Sequence, residues 1–206
     1  MPKVIDALDY IKNKKKLPTE AFFVDTNIII AFADPFSMAL TNPSLEERYE
    51  KINQVLQYFK SIDGTRSYST IVNCLEYYKH IQVNYYNIQT NQKYNSLDFK
   101  NLLDTNTSFA NGWQKQISVF ERLFYKKNFQ VIDSIINQKE IIQGFGLSGV
   151  DFGDFTTYKI VMSQASKYRC IFSNDKDFYL LPDDFYFVTI RKSLIEKAKA
   201  EGKLFT

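Results

Sequence analysis

The sequence is poor in the residues that build disulfide frameworks and zinc sites. It has two cysteines, Cys74 and Cys170, which lie in separate apolar segments, and a single histidine. Two distant cysteines do not make a disulfide framework, so we predict that both are reduced residues of the core. With so few cysteine and histidine side chains, a zinc site of the usual composition is excluded.

Long apolar runs are also lacking. No stretch approaches the roughly 20 residues that cross a bilayer, and the N-terminal segment has no secretory apolar core. We therefore expect a cytoplasmic protein that makes no contact with membranes. The formal net charge of +3 is too small to indicate nucleic acid by itself. If several acids share one pocket, however, the rest of the surface is more basic, as suits a protein that binds a polyanion.

The composition that is present predicts one folded domain with a core rich in aromatic rings. Apolar residues make up 45% of the 206 positions and aromatic residues 16%, which is enough for a substantial core. We assign a single domain to residues 1–206. Within it, residues 1–20 are interpreted as an N-terminal helical extension and residues 83–128 as an insertion of helix and loop.

Short apolar segments alternate with amphipathic ones along the chain. Strands are predicted at residues 22–25, 66–69, 129–132, 169–172 and 186–190, and helices include residues 2–16, 44–61 and a segment capped by Thr70. Alternating strands and helices favour a mainly parallel sheet. The expected fold is therefore an α/β three-layer αβα architecture with five strands.

Acidic side chains stand at the boundaries of these predicted elements. Asp25-Thr26-Asn27 follows the first strand, Glu76 lies in the helix after Thr70, Asp151 and Asp154 open a later helix, and Asp175 and Asp177 follow another strand. Each of these, taken singly, is also typical of a helix cap, a turn or an ion pair. Because parallel strands end at one edge of their sheet, we expect the acids to converge there.

Such a cluster of carboxylates has a definite chemistry. Carboxylates in one pocket repel each other, and a bound divalent cation removes that repulsion. Oxygen ligands suit Mg²⁺ or Mn²⁺, and such an ion can activate water against a phosphodiester. The same repulsion predicts that Asp25→Asn leaves the metal-free protein equally or more stable.

The ordered motifs resemble those of a known family. They are Val24-Asp25-Thr26-Asn27, Ser69-Thr70 with Glu76, Asp151-Phe152-Gly153-Asp154-Phe155, and Ile171-Phe172-Ser173-Asn174-Asp175-Lys176-Asp177-Phe178. Together they resemble the PIN domain, a nuclease family that includes VapC-type toxins, over residues 21–82 and 129–192. The resemblance implies a metal-dependent endoribonuclease that cuts single-stranded or loop RNA.

The resemblance also implies roles for individual residues. Asp25, Glu76, Asp154 and Asp175 take the catalytic and metal-binding positions, with Asn27 and Ser173 as supporting polar residues. Asp154 and Asp175 are 21 positions apart, about one helical turn more than in compact members of the family. Asp151 is therefore kept as a further candidate metal ligand beside Asp154, and Asp177 as a supporting residue beside Asp175.

Partners and competing functions stay open at this point. The expected partner is RNA, and an antitoxin protein and a homodimer are open alternatives. An antitoxin helix would lie between the helix that carries Glu76 and the predicted helix at residues 113–127. One competing function is a phosphatase of the haloacid-dehalogenase type with Asp25 as its nucleophile, although Asn27 stands where such enzymes have a second Asp. The other is a non-catalytic PIN-like module that binds RNA or protein.

Overall fold

A computed structural model describes residues 1–33, 43–62, 65–114, 130–132 and 149–206, and shows one sheet of parallel strands. The strands are β1 (Lys3–Asp6), β2 (Ala21–Val24), β3 (Arg66–Thr70), β4 (Gln130–Ile132), β5 (Cys170–Phe172) and β6 (Tyr186–Thr189). Their order in the sheet is β1-β6-β5-β2-β3-β4. All five neighbouring pairs are parallel. The predicted α/β class is confirmed.

Helices connect the strands. They are α1 (Ala7–Lys12), α2 (Thr26–Ala33), α3 (Pro43–Gln57), α4 (Ile71–Thr90), α5 (Phe99–Thr105), α6 (Phe152–Met162), α7 (Asp177–Leu180) and α8 (Lys192–Ala200). A π-helical turn, Tyr58–Ile62, extends α3, and residues 107–114 are also helical. None of the helices in the described ranges is long and apolar enough to cross a membrane.

The strands bury side chains on both faces of the sheet. Along β2, Phe22 and Val24 belong to one apolar cluster, and Phe23 belongs to another. The first cluster includes residues of α1, α2, α3 and α4, and the second includes residues of α6, α7 and α8. Because successive strand residues point to opposite faces, the sheet lies between two helical layers. This arrangement is compatible with the expected three-layer αβα fold.

The N-terminal segment corrects one prediction. Residues 2–16 were expected to form a helix, but Lys3–Asp6 form a sixth strand and only Ala7–Lys12 are helical. Val4 and Ile5 are β-branched and are fully buried in opposite faces of the sheet, beside β6. Asp6 then caps α1, because its carboxylate accepts from the backbone of Leu8 and Asp9.

The described part of the 83–128 insertion is more helical than the sequence indicates. The insertion was interpreted as a mixture of helix and loop, but its first residues continue α4 to Thr90, where Asn91 ends the helix in the left-handed conformation. Beyond it, Phe99, Leu102 and Phe109 pack on Val83 in a small separate cluster. Residues 115–127 of the predicted antitoxin groove lie outside the described ranges.

The strand order creates a crevice at one end of the sheet. From β2 the chain moves outward to β3 and β4, whereas β5, β6 and β1 lie on the other side of β2. The segments that leave β2 and β5 therefore start side by side and pack on opposite faces. Open α/β sheets bind ligands at such a switch point, outside the carboxyl ends of the strands.

Candidate functional site

The pairing of β2 with β5 places two polar loops together. Val24 is aligned with Phe172, and the backbone N–H of Asp25 donates to the carbonyl of Phe172 at 3.1 Å. Asp25 and Ser173 are therefore the first residues beyond two neighbouring strands. Ser173 donates to Asp25 Oδ2 at 2.6 Å and accepts from the backbone N–H of Asp175 at 2.9 Å.

Asp25 is a buried carboxylate that accepts four hydrogen bonds. Oδ1 accepts from the Thr26 backbone N–H at 2.6 Å and from Asn73 Nδ2 at 3.2 Å. Oδ2 accepts from Ser173 Oγ and from Asn27 Nδ2. Burial raises the pKa of Asp25 to about 7, although the bonds from Ser173 and Thr26 oppose this shift. Because a carboxylate offers about four lone pairs, these donors hold Asp25 in one orientation.

Asn73 connects three segments behind this carboxylate. The side chain of Thr70 caps α4 by accepting from the Asn73 backbone N–H at 3.2 Å, as the sequence predicted. Asn73 Oδ1 accepts from the hydroxyls of Thr70 and Thr157, at 2.7 and 3.3 Å, so its Nδ2 faces Asp25 and Thr26. Sequence reasoning missed Asn73. Its position one helical turn before Glu76, immediately after a predicted cap, is the signal that could have identified it.

Glu76 reaches the same site from α4. Its Oε2 accepts from the hydroxyl of Thr26 at 2.6 Å, and that hydroxyl in turn accepts from Asn73. Burial is the main cause of the raised pKa of Glu76 and the charge of Asp151 adds to it, while the hydrogen bond from Thr26 and the charge of Lys79 oppose it. On the other side Gly153 lies so close that a Cβ there would overlap Glu76 Oε1. Gly153 is a second residue that sequence reasoning missed, since a glycine inside a helix gives no indication of its neighbours.

The remaining acids come from the start of α6 and the loop after β5. Asp151 caps α6 by accepting from the Gly153 N–H at 2.8 Å, and Asp154 follows in the first turn. One carboxylate oxygen each from Asp154, Asp175 and Asp177 lies within 4.8 Å of the others. The backbone N–H of Asp177 donates to Asp175, and that of Asp151 donates to Asp177 Oδ2 at 3.4 Å. Asp177 thus belongs to the cluster itself.

Electrostatic repulsion is strongest at Asp154. Burial first, and then the negative charges of Asp25, Asp175 and Glu76, raise the pKa of Asp154 to about 9. No side chain in the described ranges donates a hydrogen bond to this carboxylate. An ordinary carboxyl group titrates near pH 4. Because the pKa of Asp154 lies above neutral pH, this carboxyl group holds its proton at neutral pH when no cation is bound.

The structure therefore brings Asp25, Glu76, Asp154 and Asp175 to one edge of the sheet, with Asn27, Ser173, Asp151 and Asp177 beside them. Their roles stay predictions. The donor set consists of carboxylate oxygens, which suits Mg²⁺ or Mn²⁺. Asp25 has its lone pairs occupied by protein donors, so the oxygens best able to hold an ion belong to Asp154, Asp175 and Asp177, with Glu76 Oε1 alongside.

Close packing at Gly153 gives a first testable prediction. Gly153→Ala should push Glu76 aside and weaken the binding of Mn²⁺ by about tenfold or more, because displaced neighbours of a metal site cost that much. Isothermal titration calorimetry with Mn²⁺ measures the affinity. Gly112→Ala is the matched control, since its Cβ would meet only the end of a flexible side chain, Gln82 Nε2, at 3.1 Å. Equal Mn²⁺ affinity in both variants would contradict the assignment of Glu76 to the site.

Comparisons with models of protein families, with curated proteins and with solved structures give no match. The resemblance to the PIN domain accordingly rests on the sequence motifs alone.

Proposed function

We propose that this protein is a Mg²⁺- or Mn²⁺-dependent endoribonuclease of the PIN type. The observation that carries the proposal is the meeting of carboxylates from β2, α4, α6 and the loop after β5 at the switch point of a parallel sheet. The carboxyl pKa values of Asp25 and Asp154, raised first by burial and further by the neighbouring acids, support a site that is completed by a cation. A cytoplasmic location belongs to the same proposal.

The residues of the site divide into two groups. Asp154, Asp175 and Asp177, together with Glu76, would hold the ion, whereas Asp25 is held by its four hydrogen bonds and would add negative charge nearby. The chemistry that such an ion would supply is a lowered pKa of a coordinated water and polarisation of a phosphodiester. Thr26 fixes Glu76 through its hydroxyl, and this arrangement limits the motion of the carboxylate.

The charge distribution of the chain fits a polyanionic substrate. The formal net charge is +3 although several acids are gathered in one site, so basic residues predominate elsewhere. A basic surface attracts a nucleic-acid backbone, and a local acidic pocket restricts the chemistry to the place where a cation is held. The choice of single-stranded or loop RNA follows from the resemblance.

The geometry does not favour the competing phosphatase. An aspartyl nucleophile needs a carboxylate oxygen that can attack phosphorus. Each carboxylate oxygen of Asp25 already accepts two hydrogen bonds, and the residue is only 3% exposed. Asn27 stands at the position of the second Asp of such enzymes. Its amide donates to Asp25, and it has no carboxyl group that could protonate a leaving group.

Cleavage of a defined RNA tests the proposal. The purified protein should cut a single-stranded RNA when Mn²⁺ or Mg²⁺ is present, leaving 5′-phosphate and 3′-hydroxyl ends, and should stop when EDTA is added. The ends are identified by their reactivity toward polynucleotide kinase and phosphatase. Cleavage that continues in EDTA would refute the metal-dependent mechanism. Binding of RNA without any cleavage would favour the non-catalytic module instead.

A further inference from the structure

A second cleft lies beside the acidic site at the same edge of the sheet. Its volume is about 480 Å³, and the described residues that line it are Glu47, Arg48, Lys51, Asn174, Ile190 and Arg191. The first turns of α3 form one wall and the segment after β6 forms another. Asn174 connects the two sites, because it lies between Ser173, which contacts Asp25, and Asp175.

Asn174 has one polar atom left over. Its Oδ1 accepts from the Thr189 hydroxyl at 3.0 Å and from the Ile190 backbone N–H at 3.2 Å. A backbone N–H can only donate, so these bonds fix which end of the amide is oxygen. The opposite end, Nδ2, is a buried donor with no acceptor among the described residues, in a side chain that is 4% exposed. A buried donor without an acceptor is costly, so an accepting group placed beside Asn174 Nδ2 would lower the free energy.

The charged side chains around this donor are mainly cationic. Arg48, Lys51 and Arg191 line the cleft with one acid, Glu47, which forms an ion pair with Lys51. Arg191 also donates from Nη1 to the carbonyl oxygen of Asn174 at 3.2 Å, so its guanidinium lies beside the same residue. Guanidinium groups combined with an amide donor are suited to the oxygens of a phosphate.

We propose that this cleft binds a phosphate group through Asn174 Nδ2, Arg48 and Arg191. The phosphate belongs to a nucleotide that adjoins the one positioned at the acidic site, and this identity rests on the proposed nuclease function. The cleft thereby sets the direction in which the strand leaves the site. Phosphate binding itself needs no divalent metal ion, because the groups that would contact the phosphate are an amide donor and cationic side chains of the protein.

Inorganic phosphate in the presence of EDTA tests the subsite separately from catalysis. The side-chain amide resonance of Asn174 should shift as phosphate is added to ¹⁵N-labelled protein, while potassium chloride of equal ionic strength leaves it unchanged. Arg48→Gln should weaken phosphate binding by about tenfold, since one charge-assisted contact is lost. Arg66→Gln, at the opposite end of the sheet, is the matched control and should bind like the wild type.

A variant at the central residue tests the donor directly. Asn174→Asp keeps an oxygen for Thr189 and Ile190 but replaces the Nδ2 donor with a second acceptor, so it should abolish phosphate binding. Unchanged phosphate affinity in both Arg48→Gln and Asn174→Asp, with folding verified by circular dichroism, would overturn the subsite. An Asn174 resonance that does not respond to phosphate in the wild type would also overturn it.

The strand itself identifies the source of the phosphate. The affinity for a short single-stranded RNA should depend less steeply on salt concentration in Arg48→Gln than in the wild type. The slope of log affinity against log salt should fall by about 1, because one phosphate contact is lost. An unchanged slope would overturn the assignment of the cleft to the substrate strand. Phosphate binding without RNA cleavage would refute the proposed nuclease activity and would still support the phosphate subsite. Failure of the nuclease proposal is therefore distinguishable from failure of the subsite proposal.

Discussion

Asp154→Asn and Glu76→Gln are each expected to lower the rate of RNA cleavage by about a hundredfold to a thousandfold. Both changes preserve the size of the side chain and remove one negative charge from the oxygens that would hold the ion. Asp25→Asn should have a comparable effect because the charge of Asp25 acts on Asp154 and contributes to the electrostatic potential of the cluster. Initial rates on a labelled single-stranded RNA, at saturating Mn²⁺, measure the loss.

Acids away from the site provide the controls. Asp104→Asn and Glu196→Gln change exposed acids on α5 and α8 and should keep the wild-type rate. Circular dichroism establishes that each variant is folded before its rate is compared. If Asp154→Asn or Glu76→Gln cleaves RNA as fast as these controls, the acidic cluster is not the catalytic site.

The metal-free protein should lose stability as pH rises. The pKa of Asp25 is raised to about 7 and that of Asp154 to about 9, so the folded state keeps protons that the unfolded chain releases near pH 4. A raised carboxyl pKa stabilises the fold at low pH, and that contribution is lost as pH rises through the folded-state value. Between about pH 5 and about pH 9, the free energy of unfolding should fall by about 2 kcal/mol or more.

Two substitutions separate repulsion from hydrogen bonding. Asp154→Asn removes the cost of keeping a buried carboxyl group protonated among other acids, and no described side chain donates to this group. It should therefore stabilise the metal-free protein at about pH 8 by about 1 kcal/mol or more. Asp25→Asn instead places an NH₂ group where one oxygen of Asp25 accepts hydrogen bonds, so a donor faces donors. This change should destabilise the protein by about 1–3 kcal/mol. The hydrogen bonds of Asp25 therefore reverse the expectation drawn from the sequence.

Urea unfolding followed by circular dichroism, in EDTA and in Mn²⁺, measures these differences. Mn²⁺ should raise the stability of the wild type at high pH and flatten its pH dependence, since a cation replaces the protons. A wild-type stability in EDTA that does not change over this pH range would show that the carboxylates do not repel one another. Destabilisation by Asp154→Asn as large as that by Asp25→Asn would identify Asp154 as a structural partner.

The sequence by itself determined the architecture around β2. The run Phe22-Phe23-Val24 is apolar at every position, as a strand buried on both faces must be, and Asp25 follows it directly. Strands pair through their backbone groups and bury apolar side chains, and the local sequence pattern shows which segments are apolar. For this reason the α/β class and the position of Asp25 at a carboxyl end could both be predicted.

Only the tertiary structure decided how the acids are held. Asn73, Thr26 and Gly153 are unremarkable in sequence, yet Asn73 contacts Asp25, Thr26 contacts Glu76, and Gly153 leaves space for the carboxylate of Glu76. These contacts join α4 to α6 and to the residues that follow β2 across 48 residues or more, and no local periodicity encodes such a distance.

The edge strand β1 illustrates the same division. Val4, Ile5, Leu8 and Ile11 have helical spacing, but Val4 and Ile5 gain more by entering opposite faces of a sheet whose neighbouring strand, β6, lies about 180 residues away. The orphaned donor of Asn174 is likewise invisible in sequence, because it exists only once Thr189 and Ile190 occupy the other end of the amide. Local patterns determine which segments are strands and helices, whereas long-range packing determines which polar atoms are left to bind a ligand.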